Sequence, residues 1–226
     1  FMESTRSLGW SAPRTGLHPR GRIIRDANGG HKIVHLEQMN AFRYLRGVMP
    51  TAGILVIGNE ILSGKVVDTN SPYLCRELRA LGVDVERIST IPDAVDAIAE
   101  NVESMSQAYD YVFTAGGLGP TPDDLTVDGI AAAFGRPVEL SASIEERIRR
   151  AMGSDPNPSQ LKRARIPAGA TLLDSGDRWF PLVVVENVYI LPGIPELLRK
   201  KFESVRDRFR GVPFVLKRVY VTLMES

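Results

Sequence analysis

Short apolar runs alternate with amphipathic stretches downstream of residue 50, and this alternation restricts the fold more than any other feature of the sequence. The apolar runs cover residues 54–57, 83–91 and 111–114, and the first is rich in β-branched residues, as in a strand buried on both faces. Between them, residues 70–81 and 93–107 carry apolar side chains three or four positions apart, which is the spacing of an amphipathic helix. This order predicts an α/β domain with a mostly parallel central sheet that helices cover on both faces.

The second half of the chain continues the same domain, because no linker-like composition divides residues 51–226. The elements expected there are helices over residues 126–134, over residues 141–152 and from Pro195 onward, a β-hairpin over residues 182–191, a loop over residues 153–160 and a final strand over residues 214–223. We therefore expect one domain that is preceded by an extension.

Residues 1–50 differ from the rest of the chain in charge and pattern. They contain eight basic and three acidic residues with little periodicity, so we expect a disordered basic extension. Two alternatives are an organelle transit peptide, although no amphipathic helix is visible, and a translation start at Met49 with non-native residues before it. The remaining 20 basic and 24 acidic residues give the domain a net charge of −4, which argues against a nucleic-acid partner.

Cysteine and histidine are scarce, which limits the available chemistry. Cys75 is the only cysteine, so an internal disulfide or a cysteine-rich zinc site is excluded, and a reducing, cytoplasmic setting is expected. His18, His31 and His35 all precede residue 51, so acids, bases and metal ligands in the main domain must come from other residue types or the backbone. No apolar run approaches the roughly 18 residues of a membrane helix, so no membrane partner is expected.

The segment with the clearest chemical signature is residues 114–126, which leaves a buried strand and enters a helix. Open α/β sheets bind ligands at the carboxyl ends of their strands. Gly116, Gly117 and Gly119 allow backbone amides to face an anion, and the following helix adds the positive end of its dipole. A phosphate group is the expected ligand, whereas the plain alternative is a tight turn that binds nothing.

Two familiar phosphate-binding motifs are excluded. Gly53 and Gly58 have the outer spacing of a P-loop, but Asn59 and Glu60 replace its lysine and hydroxyl. Residues 117–122 begin like a dinucleotide fingerprint and lack its third glycine.

Carboxylates accompany the glycines. Asp123 and Asp124 are adjacent, and we expect one of them to cap the helix while the other faces the ligand. A carboxylate beside a phosphate is repelled unless a divalent cation lies between them, and magnesium is commonly held by one or two carboxylates together with phosphate oxygens. We therefore expect Asp124 and Glu60 to bind a divalent metal (Mg, Mn or Co) as part of a metal–nucleotide complex.

Two further segments should reach the same edge of the sheet, because they also follow the carboxyl ends of strands. They are residues 58–70 and residues 192–196. Thr69 and Asn70 have helix capping as an alternative role, as does Asp93 after the second strand.

A basic run at Lys162, Arg163 and Arg165 lies outside these segments. We expect it to be a solvated face rather than an anion site.

Four stretches resemble the molybdopterin-binding (MoCF biosynthesis) family, and within it the amino-terminal domain of CinA proteins and the related domain of FAD synthases. They are residues 58–70, 114–126, 160–167 and 191–196, and the resemblance covers about residues 51–223. The sequence Gly-Gly-Leu-Gly-Pro-Thr-Pro-Asp-Asp-Leu-Thr is highly specific to this group. The resemblance implies a three-layer α/β/α sandwich that binds a pterin or a nucleotide diphosphate at the glycine loop.

The resemblance also implies activities, which differ between branches of the family. CinA-like members are associated with divalent-metal-dependent hydrolysis of ADP-ribose or FAD, whereas the molybdenum-cofactor branch adenylylates molybdopterin with magnesium and ATP. Asp124 and Asp93 match functional aspartates of the molybdenum branch. The sequence Gly-Leu-Gly-Pro-Thr-Pro-Asp departs from that branch, which typically has Gly-Thr-Gly and a basic residue before the aspartate, and this departure favours the CinA-like side.

We therefore expect a nucleotide pyrophosphatase that acts on a small molecule. One alternative is a protein that binds molybdopterin as a ligand or adenylylates it. The other is a non-catalytic pterin- or nucleotide-binding module. Relatives of this fold commonly assemble as dimers or trimers, so a homo-oligomer is expected. The carboxyl-terminal amidase domain of full-length CinA proteins is not in this sequence, so deamidase activity on pyridine nucleotides is not expected.

The candidate site residues lie on the segments that reach the rim. Those expected to be catalytic are Asp124, Asp123 and Asp93. Those expected to bind substrate or phosphate are Gly58, Asn59, Glu60, Thr69, Asn70, Thr114, Gly116, Gly117, Leu118, Gly119, Pro120, Thr121, Thr126, Pro192, Gly193 and Pro195.

Overall fold

The computed structural model describes residues 49–152, 155–174 and 180–211, and three short strands earlier in the chain. The chain divides into two units, Phe1–Arg46 and Gly47–Ser226. In the first unit, an antiparallel sheet is formed by β1 (Leu17–His18), β2 (Gly21–Arg25) and β3 (His31–Val34). The other residues before position 49 lie outside the described part, so the disordered extension expected over residues 1–50 stays a prediction.

The second unit alternates strands and helices. Its strands are β4 (Thr51–Ile57), β5 (Asp84–Ile91), β6 (Tyr111–Ala115), β7 (Val138–Leu140), β8 (Arg165–Pro167), β9 (Thr171–Leu173), β10 (Leu182–Val185) and β11 (Val188–Leu191). Its helices are α1 (Asn59–Leu62), α2 (Asn70–Ala80), α3 (Val95–Ala108), α4 (Thr126–Ala133), α5 (Ala142–Met152), α6 (Pro158–Lys162) and α7 (Pro195–Val205).

The central sheet of the described residues has the strand order β5-β4-β6-β11-β10-β9. Strands β5, β4, β6 and β11 are parallel, whereas β10 and β9 are antiparallel to their neighbours. The mostly parallel sheet predicted from the sequence is confirmed. Parallel strands end at the same edge, so the segments that follow β4, β6 and β11 meet there.

Two apolar clusters pack on opposite faces of this sheet. Ile54 and Val56 of β4 contribute to the cluster that includes the apolar residues of α2 and α7. Leu55 and Ile57 contribute to the cluster on the other face, which includes residues of α3 and α4. This alternation follows from the two-residue period of a strand, and it confirms the three-layer α/β/α sandwich.

The structure differs from the sequence expectations in its short elements. Residues 158–162 form a one-turn helix where a loop was expected, because Pro158 occupies its first turn and Asn157 forms a reciprocal capping box with Gln160. Strands β7 and β8 pair as a separate antiparallel ribbon that the sequence did not indicate. The final strand expected over residues 214–223 lies outside the described residues. In the described part of the chain, no helix is long and apolar enough to cross a membrane.

Candidate functional site

A cleft of about 600 Å³ opens where β6 and β11 end. We define the glycine loop as residues 116–121. The lining of the cleft includes residues 116–120 of this loop and the segment 192–195 that follows β11. The candidate residues that line the cleft are Glu60, Gly116, Gly117, Leu118, Gly119, Pro120, Asp124, Pro192, Gly193 and Pro195. The structure therefore brings three separate parts of the sequence to one cavity.

The glycine loop has a backbone that only glycine accommodates at its first two positions. Gly116 has a φ of 116° and Gly117 a φ of 62°, both in the region that L-residues rarely adopt. A Cβ atom on Gly116 would overlap the carbonyl oxygen of Ile57, and one on Gly117 would overlap the hydroxyl of Thr126. The loop can turn tightly out of β6 only because both side chains are absent.

Asp124 holds the loop closed. Its Oδ1 accepts a hydrogen bond from the Gly119 amide at 2.6 Å, and its Oδ2 accepts bonds from the Thr121 amide at 2.8 Å and the Thr121 hydroxyl at 2.5 Å. The expectation that one of the two aspartates caps α4 is wrong, because Leu125 occupies the N-cap position and no side chain caps it. Asp123 is exposed and does not line the cleft.

Two amides of the loop are left for a ligand. The Gly116 amide donates a hydrogen bond to the Leu191 carbonyl at 3.3 Å, and the Gly119 and Thr121 amides donate to the Asp124 carboxylate. Among the described residues, none accepts a hydrogen bond from the amides of Gly117 or Leu118, both of which line the cleft. Consecutive amides next to a helix N-terminus form a concave anion-binding site.

Two threonines that were expected to bind phosphate lie beneath the loop instead. Thr126 is fully buried and donates its hydroxyl hydrogen to the Gly116 carbonyl at 2.9 Å. Thr114 is fully buried inside β6, and its hydroxyl has no hydrogen-bond partner in the described part of the protein. Neither residue lines the cleft, so both act on the fold rather than at the cavity surface.

Carboxylates crowd the side of the cleft next to β4 and β5. Glu60 lines the cavity, and Asp93 accepts a hydrogen bond from the Asn59 amide at 2.8 Å. Burial raises the pKa of Asp93, the Asn59 amide lowers it, and the negative charges of Glu60, Asp123 and Asp124 raise it further. Asp93 is not the cap of α3, whose N-cap position is Ala94.

These carboxylates would need phosphate oxygens from a ligand to complete the coordination of a metal ion. Within the described ranges, no group of three or more His, Cys, Asp or Glu side chains is arranged to hold a metal ion. Glu60 and Asp124 both line the cleft, and magnesium is commonly bound by one or two carboxylates together with substrate phosphates. The donor set fits a hard divalent ion that arrives with a phosphate ligand.

The remaining rim residues brace the site. The Asn70 side-chain amide donates to the Gly193 carbonyl at 2.8 Å, which ties the start of α2 to the segment after β11. Thr69 occupies the N-cap position of α2 without a side-chain bond, and Gly58 lies against the carboxylate of Glu60. Asn70, Thr69 and Gly58 themselves do not line the cleft.

The basic run was expected to be solvated, but the structure places it on the wall of the cleft. Lys162, Arg163 and Arg165 all line the cavity. The Lys162 ammonium group contacts the Thr121 carbonyl, and Asp128 fixes the Arg165 guanidinium with bonds of 2.6 and 3.3 Å. No local pattern indicates this position, because it depends on how α6 and β8 pack against the glycine loop.

The sequence also missed the apolar part of the lining. It comprises Ile144, Phe180, Pro181, Val183, Ile190, Ile194 and Leu197, with the buried Lys201 beside them. Lys201 donates to the Phe180 carbonyl at 2.6 Å and thereby holds the segment before β10 against α7.

Known proteins with similar sequences share this domain. A protein of Archaeoglobus fulgidus is 38% identical over 156 residues, covering 69% of this chain and 67% of that protein. A probable FAD synthase of Caenorhabditis elegans is 38% identical over 183 residues, covering 70% of this chain and 35% of that protein. A CinA-like protein of Thermotoga maritima is 35% identical over 170 residues, covering 72% of this chain and 41% of that protein. The chain thus spans less than half of the latter two proteins.

A solved structure and a family model agree with these similarities. The crystal structure of CinA from Thermoplasma acidophilum matches with a TM-score of 0.67 and 29% identity, over 71% of this chain and 98% of that one. Residues 53–210 match the family model described as "Probable molybdopterin binding domain". The chain therefore belongs to this molybdopterin-binding domain family and is similar to its CinA-like members.

Proposed function

We propose that the protein is a divalent-metal-dependent nucleotide pyrophosphatase that acts on diphosphates such as ADP-ribose or FAD. The observation that supports this most is the composition of the cleft where β6 and β11 end. It combines the amides of Gly117 and Leu118 with the carboxylates of Glu60 and Asp124 and with a basic wall. A diphosphate with a bound cation needs all three kinds of group.

The glycine loop and the basic wall would hold the diphosphate. Amides held in a fixed loop can stabilise the extra negative charge of a phosphoryl transition state without having to reorganise. Lys162 and Arg163 line the same cleft and add positive charge there. Besides its place in the cleft, Asp124 also positions the loop, because its carboxylate accepts hydrogen bonds from the Gly119 and Thr121 amides.

The carboxylates would hold the cation. A bound divalent ion supplies charge neutralisation at the diphosphate and lowers the pKa of a water molecule. Glu60 and Asp124 are the residues that would hold it. Asp93 does not line the cleft, so we assign it the positioning of α1, and hence of Glu60, through the Asn59 amide.

The proposed reaction is hydrolysis of the bond between phosphorus and the bridging oxygen. A water oxygen attacks one phosphorus atom, and the other phosphate leaves with the bridging oxygen. ADP-ribose would give AMP and ribose 5-phosphate, and FAD would give AMP and FMN. The name of the worm relative, probable FAD synthase, supports a flavin dinucleotide as a ligand of this kind of domain.

Binding or adenylylation of molybdopterin is the second candidate, and the description of the matched family favours it. It would use the same anion site, with ATP as the second substrate. A non-catalytic pterin or nucleotide module is the third, and it would keep the cleft without turnover.

A product assay distinguishes these functions. The purified chain is incubated with ADP-ribose, FAD, or ATP plus molybdopterin, each with Mg²⁺, Mn²⁺ or Co²⁺. We expect AMP release from ADP-ribose or FAD, and its loss when a chelator is added. Formation of adenylylated molybdopterin would support the second candidate, and ligand binding without any product would contradict both enzymatic functions.

A further inference from the structure

Two glycines of the candidate site are explained neither by backbone conformation nor by phosphate binding. Gly58 has a φ of 166°, an extended backbone that any residue adopts, and Gly119 is not among the glycines with a left-handed φ. The Gly58 amide donates to the Ile91 carbonyl at 3.1 Å, and the Gly119 amide donates to the Asp124 carboxylate at 2.6 Å. Neither amide is therefore left for the phosphate ligand predicted from the sequence.

In both cases a carboxylate occupies the space that a side chain would fill. A Cβ atom on Gly58 would lie 2.6 Å from Oε1 of Glu60 and 2.9 Å from both its Cδ and its Oε2. A Cβ atom on Gly119 would overlap Oδ2 of Asp124 and lie 2.8 Å from its Oδ1 and 2.9 Å from its Cγ. Cβ atoms in proteins keep at least 3.0 Å from other heavy atoms, so neither carboxylate can keep its place beside an alanine.

The two carboxylates concerned are those to which we assign the cation. Glu60 and Asp124 both line the cleft, although they follow different strands, β4 and β6. Gly116 and Gly117 differ from this arrangement, because a Cβ atom on either of them would meet a backbone carbonyl or a hydroxyl rather than a carboxylate. The contact of a glycine with a cleft carboxylate thus arises in two separate segments of the chain.

The two carboxylates differ in how firmly they are held. Asp124 accepts hydrogen bonds from the Gly119 amide and from both the amide and the hydroxyl of Thr121. Glu60 is exposed, and none of the described residues donates a hydrogen bond to its carboxylate. A methyl group on Gly119 would therefore break bonds that stabilise the loop, whereas one on Gly58 would displace an exposed side chain.

We propose that Gly58 and Gly119 are positioning residues of the cation site. Because they lack a side chain, Glu60 and Asp124 can lie against the backbone, and this contact sets the places of the two carboxylates that would hold the ion. The inference rests on the proposed function for the cation. The placement of the carboxylates does not depend on that function, and it can be tested in the protein without ligand.

The Gly119–Asp124 pair is tested by a double-mutant cycle without ligand or metal. The variants are Gly119→Ala, Asp124→Ala and their combination, and denaturant unfolding gives the unfolding constant of each. We expect Gly119→Ala alone to raise this constant about tenfold or more, because at least one hydrogen bond to an ionised acceptor is lost. In the Asp124→Ala background the same change should not raise it, because no carboxylate remains to be displaced. Asp124→Ser takes the place of Asp124→Ala if the latter does not fold.

The Gly58–Glu60 pair is tested by its effect on the cation. Calorimetry measures the affinity of α,β-methylene-ADP with and without Mg²⁺, because the methylene group that replaces the bridging oxygen prevents hydrolysis there. Gly58→Ala should lower the gain in affinity from Mg²⁺ by about tenfold, as changes behind a metal ligand commonly do, and should leave the affinity without Mg²⁺ unchanged. In the Glu60→Ala background, Gly58→Ala should have no further effect.

Gly135→Ala is the control for a glycine replaced outside the site. Nothing lies within 4 Å of a Cβ atom at Gly135, and this residue does not line the cleft. The variant should keep the full gain in affinity from Mg²⁺.

The outcomes separate this inference from the proposed hydrolysis. If ADP-ribose is never hydrolysed but both cycles show the expected coupling, the positioning roles are supported and the pyrophosphatase is not. If AMP is released but the two changes of a cycle act independently, the positioning role of that glycine is excluded while the hydrolysis stands. A wild type whose affinity for the analogue does not rise with Mg²⁺ would also exclude the role of Gly58, since Glu60 would then hold no ion.

Discussion

At the scale of single residues, the main role that the structure shows for Asp124 is to stabilise the glycine loop. Both of its oxygens accept hydrogen bonds from the loop that it follows. Bonds to an ionised acceptor contribute about 1.5–3 kcal/mol each, so the loop geometry depends strongly on this one side chain.

Asp124→Asn should therefore impair the site more than any neighbouring substitution. The amide nitrogen that replaces one oxygen cannot accept from Thr121 or Gly119, so the loop loses part of its support. We expect AMP release from ADP-ribose to fall by about 100-fold or more. Asp123→Asn is the matched control, because Asp123 is exposed and outside the cleft, and it should keep most of the activity. An equal loss of AMP release in both variants would show that activity depends on negative charge near the cleft and not on the hydrogen bonds of Asp124.

Asp93 makes a prediction about pH. Its pKa in the folded protein is raised above the ordinary value of 3.8, so the folded state binds this proton more tightly than the unfolded state does. The contribution of Asp93 to stability is therefore lost as the pH rises through a window that begins near 3.8.

Asp93→Asn replaces the titratable carboxyl group with a neutral amide, whose oxygen can still accept the hydrogen bond from the Asn59 amide. Its unfolding free energy relative to that of the wild type should rise as the pH increases above 3.8, as measured by denaturant unfolding. Asp96→Asn, at an exposed position of α3, is measured alongside as a second carboxylate-to-amide change. A constant difference between Asp93→Asn and the wild type across this range would contradict the assigned environment.

Residue roles were predictable only where local geometry decides them. The three glycines could be assigned to a ligand loop because a tight exit from a strand requires them. Thr114 and Thr126 have the right chemistry, but both side chains are buried, and their sequence positions do not show it. Lys162 reaches the cleft through a contact with Thr121, which is 41 positions away in the sequence.

At the scale of elements, the turn from β6 into α4 positions the amides of Gly117 and Leu118, to which we assign the diphosphate. Gly117 and Gly135 provide a comparison within one chain, because their φ angles are 62° and 59°. A Cβ atom on Gly117 would overlap the Thr126 hydroxyl, whereas nothing lies within 4 Å of one on Gly135.

Gly117→Ala should therefore destabilise the protein more than Gly135→Ala does. The backbone strain of about 1 kcal/mol is common to both variants. The overlap at Gly117 adds about 1–3 kcal/mol, which denaturant unfolding can resolve. Equal losses of stability would mean that Thr126 moves aside without cost, and the tight packing beneath the loop would be excluded.

Long elements with a clear period were predictable, and short ones were not. The strands β4, β5 and β6 and the helices between them carry enough apolar residues for their periods to be read. The one-turn helix α6 has no such period, and its capping box was not recognised at Asn157. Strands β7, β8 and β9 have three residues each, so their pairing is decided by tertiary contacts.

At the scale of the whole molecule, the α/β/α sandwich brings three distant segments to one edge, and the proposed cation site there has only two carboxylates, Glu60 and Asp124. Because the described residues supply no cluster of three metal-binding side chains, binding of the cation should depend on the diphosphate.

Thermal unfolding tests this dependence. Mg²⁺ alone should leave the melting temperature nearly unchanged. ADP-ribose with Mg²⁺ at a hundred times its dissociation constant should stabilise the folded state by about 2.7 kcal/mol and raise the melting temperature accordingly. A large increase with Mg²⁺ alone would show that the protein holds a complete metal site by itself.

The most direct test of the anion site is an NMR titration of the ¹⁵N-labelled protein with ADP-ribose and Mg²⁺. We expect the largest amide shift changes at Gly117 and Leu118, because their N–H groups are the ones left to bind the diphosphate. Saturable binding with unchanged Gly117 and Leu118 signals, or with the main changes at another face of the domain, would contradict the site proposed here.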